Sequence, residues 1–314
     1  MGRAGSSPVP GTSEADLATR AGSALLFSGL SPAPSRSPSV PVRLPIRGHS
    51  AVVAGATGGL GRAVAAELAR RGSHLALVDR DAGSLAQLRD GLAATHPDQR
   101  FSVHAADVRD LARVAALPEE LQREHAQPSL LVNLVGVSAA GDFEEIDPAV
   151  FDWVLDVNFG GAVRLARAFL PLLREAPVAQ LVNVASVHAL IAPAGLSPYV
   201  ASKFALRGFT MALAHELERS SVGVSIVLPG GVATGMSDRV RWPDTRPAEE
   251  VTRLRAEARA RLTLDPSQAA KRIVDGVERR RKRIIVGSDA RAASLLQRVL
   301  PGSYWRVVRR RFGR

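Results

Sequence analysis

The chain has 314 residues, 46% of them hydrophobic, and no cysteine, which excludes disulfides and thiolate metal sites. The net charge of +11 lies at the C-terminal end, because residues 271–314 hold 14 Lys and Arg against 3 Asp and Glu, while the remainder is balanced. No apolar run approaches the roughly 18 residues of a membrane-spanning helix, and the seven histidines follow no ligand-like spacing, so we expect neither a transmembrane segment nor a metal.

Residues 1–47 are rich in Ser, Pro, Gly and Arg. This composition does not support a packed core, so we interpret the segment as a disordered leader. A targeting segment is the less favoured alternative.

Short apolar runs alternate with amphipathic stretches from residue 48 to residue 288, which predicts one catalytic domain. The predicted strands are residues 51–54, 75–78, 101–105, 130–135, 181–185, 225–228 and 283–286. A helix is predicted over residues 62–71, directly after the first strand. Strands that alternate with helices favour right-handed crossovers. The sequence therefore predicts an α/β fold with a doubly wound parallel sheet of the Rossmann type, with about seven strands and helices on both faces.

A glycine-rich loop, GATGGLG at residues 55–61, connects the first predicted strand to this helix. Glycines let the backbone approach a pyrophosphate, and the N–H groups at the start of a helix stabilise its negative charge. The alternative is a tight turn without a ligand. We predict that a dinucleotide contacts Gly55, Thr57, Gly58, Gly59, Leu60 and Gly61.

The end of the second strand bears on the choice of nucleotide. Asp79 lies eighteen residues after Gly61, where a carboxylate can bind the adenosine ribose hydroxyls and repel a 2′-phosphate, which favours NAD. Arg80 could bind that phosphate and keeps NADP as the less favoured cofactor. Asp79 could instead cap the next helix. Likewise Asp107, with Val108, could either cap a helix or contact the adenine.

Tyr199 and Lys203 are four residues apart, so both face the same side of a helix. A phenol has a pKa near 10, and a nearby cation lowers it by stabilising the phenolate. Ser186 ends a predicted strand thirteen residues earlier, and strand ends of this kind border the ligand crevice of a parallel sheet. The combination indicates an acid/base site.

Five motifs in this order resemble the short-chain dehydrogenase/reductase family, in its ordinary-length branch, from about residue 49 to residue 286. The loop AGATGGLG resembles the family's TGxxxGxG, and DVNFGG resembles the segment that carries its catalytic Asn. VNVASVHAL resembles its serine strand, YVASK its Tyr-Lys helix, and LPGGVAT its PGxVxT turn.

The resemblance implies hydride transfer between a nicotinamide and a secondary alcohol or ketone. Tyr199 would exchange a proton with the substrate oxygen, and Ser186 would donate a hydrogen bond to that oxygen. Lys203 would hold the nicotinamide ribose and lower the Tyr199 pKa, and Asn158 would hold a water that links Lys203 to solvent. Taken singly, Ser186 could cap a helix, Asn158 could end one, and Lys203 could be a surface charge.

The family's cofactor site extends beyond the glycine loop. The further contacts that the resemblance implies are Asn133, Gly136, Tyr199, Lys203, Pro229, Gly230, Val232 and Thr234. Two apolar residues depart from the family pattern: Leu134 replaces an amide of its NNAG segment, and Ala54 replaces a Thr before the loop. Both lie in the predicted sheet core and affect local rigidity more than chemistry.

Residues 235–264 are expected to form a lid over the substrate. The lid contains Met236, Val240, Trp242 and Leu254, which suggest a hydrophobic substrate or pack on the body.

Residues 289–314 are predicted to be a basic amphipathic tail, divided by Pro301 and Gly302. The tail could bind an anionic membrane surface, or pack on the body or a second subunit, and nucleic acid is the least favoured partner. We expect a cytoplasmic homo-oligomer, peripheral at a membrane if the tail binds lipid. The competing hypothesis is a nucleotide-binding protein of this fold with little turnover, which acts through the tail.

Overall fold

The computed structural model describes residues 43–312, with side chains as far as Arg309. Residues 1–42, which hold most of the predicted leader, and residues 313–314 lie outside the described part. The packed body begins before the predicted boundary at residue 48, because Leu44 and Ile46 are buried in the core. The N–H of Leu44 also donates to the Glu278 carbonyl at 2.8 Å.

Seven parallel strands form one sheet in the order 3-2-1-4-5-6-7, which confirms the predicted fold class. The strands are β1 Ser50–Ala54, β2 His74–Asp79, β3 Phe101–Ala105, β4 Pro128–Asn133, β5 Ala179–Val184, β6 Val222–Pro229 and β7 Arg283–Val286. Each corresponds to a predicted strand.

Helices cover both faces of the sheet. They are α1 Gly59–Arg70, α2 Ala82–Thr95, α3 Leu111–Glu124, α4 Pro148–Leu155, α5 Gly161–Glu175, α6 Ser197–Glu216, α7 Ala248–Ala260, α8 Pro266–Glu278, α9 Ser288–Val299 and α10 Tyr304–Phe312. A π-helical turn, Asp156–Gly160, joins α4 to α5, and short 3₁₀ turns span Phe143–Glu145, Val187–Ala189 and Ser237–Arg239.

The central strands are mainly apolar because both faces of the sheet are covered. Every residue of β1, β4 and β5 is buried. Successive side chains point to opposite faces, so Val53 packs in the layer of α1, α2 and α8, and Val52 packs in the layer of α3, α5 and α6. The largest fully buried side chain, Phe169 of α5, lies in the second layer.

The strand order reverses between β1 and β4, and in doubly wound sheets a crevice opens beyond the carboxyl ends of the strands at this point. The glycine-rich loop follows β1, Leu134 follows β4, Ser186 lies just beyond β5, and Pro229 ends β6. The topology therefore brings the sequence motifs to one edge of the sheet.

The predicted tail forms α9 and α10, and a turn at Pro301 and Gly302 separates them as expected. Part of the tail packs on the body, since Ala290, Ala293 and Val308 are buried. Across residues 43–312, no helix combines the length and the hydropathy that a membrane span requires.

Candidate active site

The glycine-rich loop is packed so closely that side chains would collide at several positions. Gly55 has φ +81°, and a Cβ there would lie 2.8 Å from the Leu134 backbone. A Cβ on Gly61 would lie 2.0 Å from the Gly55 carbonyl oxygen, and one on Gly59 would lie 2.9 Å from Thr234 Cβ. The loop thus requires glycine at three predicted positions, at Gly55 and Gly61 because of nearby backbone and at Gly59 because of the Thr234 side chain.

Helix α1 begins at Gly59, three residues before the predicted start. Its N-cap is Gly58, which has no side chain to bond the first N–H groups, and no acidic residue lies in the first turn. Free N–H groups at a helix start attract anions. The loop and the start of α1 therefore fit a pyrophosphate.

Asp79 is held against this loop. Its Oδ2 accepts hydrogen bonds from the Thr57 N–H at 3.0 Å and the Thr57 hydroxyl at 2.7 Å, and its Oδ1 accepts from the Arg80 N–H at 2.8 Å. The alternative role as a helix cap is wrong, because Asp81 caps α2 by accepting from the Ser84 N–H.

Asp107 shows the same division of roles. It forms an ion pair with Arg109, with 2.7 Å between Nη2 and Oδ2, and this hydrogen-bonded guanidinium lowers the pKa of the carboxyl. The cap of α3 is Asp110, which accepts from the Arg113 N–H, so the capping alternative for Asp107 is also wrong. The neighbouring Val108 is buried.

Asn158 is fully buried in the π-helical turn and makes three hydrogen bonds. Its Oδ1 accepts from the Val137 N–H at 2.7 Å, and its Nδ2 donates to the Val137 carbonyl and the Ser202 hydroxyl, both at 2.9 Å. Because helical turns continue on either side, Asn158 does not end a helix as the alternative had it. It joins the segment after β4 to α6, next to Lys203.

Ser186 caps a short turn beside Tyr199, as the capping alternative had it. As N-cap of the short turn Val187–Ala189 it accepts from the His188 N–H at 3.2 Å, and its side chain also hydrogen-bonds that of Tyr199. The His188 ring meets the Tyr199 ring edge-on, with 5.8 Å between centroids. Burial lowers the pKa of His188 to about 4, so this ring is neutral at pH 7.

Tyr199 and Lys203 are both buried on α6, so Lys203 is not a surface charge. Lys203 Nζ lies 5.7 Å from the Tyr199 ring centroid and donates to the Val184 carbonyl at 3.3 Å. Burial lowers the pKa of Lys203 to about 8. The expected lowering of the Tyr199 pKa is wrong for the protein alone: burial raises this pKa, and the hydrogen bond with Ser186 opposes the rise only in part.

Gly136 leaves the space that Lys203 occupies. A Cβ at this position would lie 3.2 Å from Lys203 Nζ and 3.6 Å from Asn158 Oδ1. The predicted contact residue therefore has a second, steric role beneath the lysine.

A buried amide chain, which the sequence analysis missed, stabilises the strands where Leu134 departs from the family pattern. Asn133 Nδ2 donates to Asn183 Oδ1 at 3.2 Å, and Asn183 Nδ2 donates to the Thr210 hydroxyl at 3.1 Å. β4, β5 and α6 are thus linked without the amide that Leu134 replaces. The available signal was Asn183 itself, a polar residue inside an apolar strand.

The turn after β6 connects the sheet edge to the glycine-rich loop. The Gly230 N–H donates to the Val286 carbonyl at 2.9 Å, and Val232 is buried and bridges to Leu264. Thr234 ends the turn against Gly59. Four predicted contacts, Pro229, Gly230, Val232 and Thr234, therefore lie along one wall of the crevice.

Residues 235–264 are attached at both ends, through bridges from Ala139 to Arg241 and from Val232 to Leu264. Between them, α7 contains no buried residue. The Trp242 ring is half-buried, and its Nε1 is buried without a hydrogen-bond partner. The segment is thus joined to the body at both ends, with a helix between them that buries no residue.

Comparisons with known proteins agree with this architecture. The family model for short chain dehydrogenase matches residues 49–244. A Mycobacterium tuberculosis protein named as the oxidoreductase SadH is 34% identical over 267 residues, which cover 83% of this chain and 94% of that protein. The mouse 3-ketodihydrosphingosine reductase is 30% identical over 260 residues, which cover 82% of this chain and 76% of the reductase. The chain belongs to the short-chain dehydrogenase/reductase family of oxidoreductases.

Solved structures give the same result. A short-chain dehydrogenase/reductase from Burkholderia phymatum in complex with NAD has a TM-score of 0.75 and 29% identity, covering 82% of this chain and 95% of that chain. A metagenomic short-chain oxidoreductase in complex with NADP has a TM-score of 0.62 and 26% identity, covering 76% of this chain and 97% of that chain. These neighbours thus include complexes with either nucleotide.

Proposed function

We propose that the protein is an NAD-dependent oxidoreductase that interconverts a hydrophobic secondary alcohol and its ketone, with Tyr199 as acid/base. The observation that carries the proposal is the meeting of Ser186, Tyr199 and Lys203, all buried, at the sheet edge that also holds the glycine-rich loop. A bound nicotinamide would supply or accept the hydride.

The protein's own side chains would transfer the proton and orient the substrate oxygen. The Tyr199 hydroxyl would protonate the ketone oxygen or accept the alcohol proton, and Ser186 would donate a hydrogen bond to the same oxygen. With a pKa of about 8, Lys203 is mainly protonated at pH 7, so its charge stabilises the phenolate. Asn158 would fix the position of Lys203, because it hydrogen-bonds Ser202, the residue before Lys203 on α6.

Tyr199→Phe tests the catalytic part of this proposal. We expect turnover to fall by roughly 10²-fold or more, with NADH affinity nearly unchanged. The chain has one other tyrosine, so Tyr304→Phe is the matched control and should retain the rate. Equal turnover of wild type and Tyr199→Phe would favour the competing hypothesis, a nucleotide-binding protein with little turnover.

The preference for NAD is proposed from Asp79, whose two oxygens accept three hydrogen bonds and retain capacity for a ribose hydroxyl. Its negative charge would repel a 2′-phosphate. A fluorescence titration with NADH and NADPH tests this, and Asp79→Asn should reduce the difference between the two. Tighter NADPH binding by the wild type would contradict the proposal and point to Arg80.

The remaining contacts are proposed along the same crevice. The loop residues would bind the pyrophosphate, and Asp107 and Val108 would flank the adenine. Asn133, Gly136 and the turn at residues 229–234 would border the nicotinamide. Residues 235–264 would close over a hydrophobic substrate, for which a panel of aliphatic and aromatic alcohols with NAD is the direct screen.

Homo-oligomer formation is proposed through α6. Phe204 and Met211 are exposed on this helix and give it an apolar outer face. Light scattering of the purified protein measures the assembly, and a monomeric mass would contradict the proposal.

A second proposed function concerns α9 and α10, called here the C-terminal arm, residues 288–312. Of the eight large hydrophobic side chains exposed within the described part of the chain, four lie in the arm, and Leu295 and Val299 are 63% and 65% exposed. Exposed Arg291 and Arg298 flank them on the same helix. Residues 288–314 hold seven Arg and one Asp, and an anionic lipid surface complements both features.

Vesicle flotation tests membrane binding by the arm. Wild type should float with phosphatidylserine vesicles, less so at high salt, and remain unbound with phosphatidylcholine alone. Replacing Leu295 and Val299 by Ser should abolish flotation. Leu111→Ser, at a similarly exposed position on α3, is the control. Equal flotation of the arm variant and wild type would refute the proposal, and self-association through the arm would appear as a change of mass in the same variant.

A further inference from the structure

Asp289 connects the C-terminal arm to the turn after β6. It is the second residue of α9, and its Oδ2 accepts a hydrogen bond from the Gly231 N–H at 2.7 Å. The two residues are 58 positions apart in the chain. An acidic residue in the first turn of a helix ordinarily stabilises that helix, but this carboxylate also bonds a different element.

Two glycines make room for the carboxylate. A Cβ on Gly230 would lie 2.1 Å from Asp289 Oδ1, and its three nearest atoms would all belong to the Asp289 carboxylate. A Cβ on Gly287, which has φ +106°, would lie 2.4 Å from the same oxygen. The carboxylate of Asp289 therefore fits here because Gly230 and Gly287 have no side chains, and it is held by the Gly231 N–H.

The turn is also held by backbone hydrogen bonds to Leu264. The Leu264 N–H donates to the Gly231 carbonyl at 3.0 Å, and the Ala233 N–H donates to the Leu264 carbonyl at 2.8 Å. Thr234 then packs on Gly59 of the glycine-rich loop. A displacement of Gly231 would therefore reach the crevice wall directly.

Asp289 also interacts electrostatically with His188, a neighbour of Tyr199. Its charge raises the pKa of His188 against the larger effect of burial, and His188 packs edge-on against the Tyr199 ring. The carboxylate thus interacts with both the turn and His188.

We propose that Asp289 is a positioning residue, which fixes the turn at residues 229–234 so that this wall of the crevice is preformed for the nicotinamide end of the nucleotide. The inference rests on the proposed function. It assigns to the start of the arm a role in cofactor binding that does not depend on whether the arm binds lipid.

The test compares NADH affinity among full-length variants. Asp289→Ala removes the acceptor, and we expect the Kd for NADH to rise roughly tenfold, as for loss of a charged hydrogen bond. Asp289→Asn keeps an amide oxygen that can accept from Gly231, so it should restore most of the affinity. Asp90→Ala, on the exposed side of α2, is the control and should bind as wild type.

A double-mutant cycle makes the assignment specific. Gly230→Ala should weaken NADH binding strongly in the wild type, because the new Cβ displaces the carboxylate, and much less in the Asp289→Ala background, where that clash is absent. Additive effects would overturn the inference.

Thermal unfolding of the same variants separates positioning from helix stabilisation. If Asp289→Ala lowers the Tm while NADH affinity stays unchanged, Asp289 only stabilises α9 and the inference is wrong. If the wild type binds neither NADH nor NADPH, the proposed function fails and the inference with it. Normal binding by both wild type and Asp289→Ala overturns the inference alone.

Discussion

A buried group of three polar side chains predicts how stability depends on pH. Ser102 Oγ lies 2.7 Å from His104 Nε2 and 2.8 Å from His125 Nε2, and all three residues are buried. A hydroxyl donates one hydrogen, so one ring accepts from Ser102 and the other donates to it. Burial lowers the pKa of both histidines, that of His125 from 6.5 to about 4, and the charge of His104 adds to the lowering for His125.

The sign follows from the direction of the shift. Since the folded pKa of His125 lies below the unfolded value, the unfolded state binds the proton first as the pH falls, and stability decreases between about pH 6.5 and pH 4. Each pKa unit corresponds to about 1.4 kcal/mol, so His125 alone should cost about 2 kcal/mol between pH 7 and pH 5.

Urea unfolding at pH 7 and pH 5 measures this loss. His125→Gln retains a side chain that can hydrogen-bond Ser102 and cannot be protonated, so its free energy of unfolding should fall by about 2 kcal/mol less than that of the wild type. His49→Gln, at an exposed histidine, should behave as wild type. If the free energy of unfolding falls equally for the wild type and His125→Gln between pH 7 and pH 5, burial of His125 does not cause the loss of stability in acid and the reasoning is refuted.

Two further substitutions test the packing around Lys203, the proposed catalytic lysine. Gly136→Ala places a Cβ 3.2 Å from Lys203 Nζ, so we expect kcat to fall several-fold with a nearly unchanged Tm; an unchanged kcat in steady-state assays would contradict the steric role. Asn158→Ala leaves the partly buried N–H and carbonyl of Val137 without their side-chain partner, which should cost about 2–4 kcal/mol in urea unfolding, and a loss below about 1 kcal/mol would mean that water replaces the amide.

The sheet could be predicted because its signal is local. Short runs of mainly apolar residues bounded by polar segments mark the strands of a parallel sheet. Even for the edge strands β3 and β7, the predicted bounds are the observed ones. The start of α1 could not be predicted, because glycine is a poor helix former. The helix nevertheless begins with glycines, because Gly61 packs against Gly55 across the loop and Gly59 packs against Thr234, which is distant in sequence.

The sequence also could not show which aspartate caps the next helix, for a different reason. The segments after β2 and β3 each contain two aspartates within four residues, and either could cap the next helix. In both cases the second, Asp81 or Asp110, caps the helix, and the first, Asp79 or Asp107, stays at the sheet edge. The backbone path between strand and helix decides this, and neither residue type nor spacing reveals it.

The convergence of Ser186, Tyr199 and Lys203 followed from order and topology, but the electrostatics of the site did not. Proximity of a cation to a phenol predicts a lowered phenol pKa. In the folded protein, desolvation is the larger effect for both groups: it raises the pKa of Tyr199 and lowers that of Lys203 to about 8. Burial therefore drives both side chains towards their neutral forms.

The hydrogen bonds around the pair act against this tendency. The Val184 carbonyl accepts from Lys203, which favours the ammonium, and Ser186 hydrogen-bonds Tyr199, which favours the phenolate. The Lys203 ammonium still predominates at pH 7. A substrate oxygen that bonds Tyr199 would therefore enter a site that already holds a buried positive charge able to stabilise the phenolate. Under the proposed mechanism, acid/base capacity would thus depend on how firmly Ser186, Val184 and the amide of Asn158 hold two groups that burial alone would neutralise.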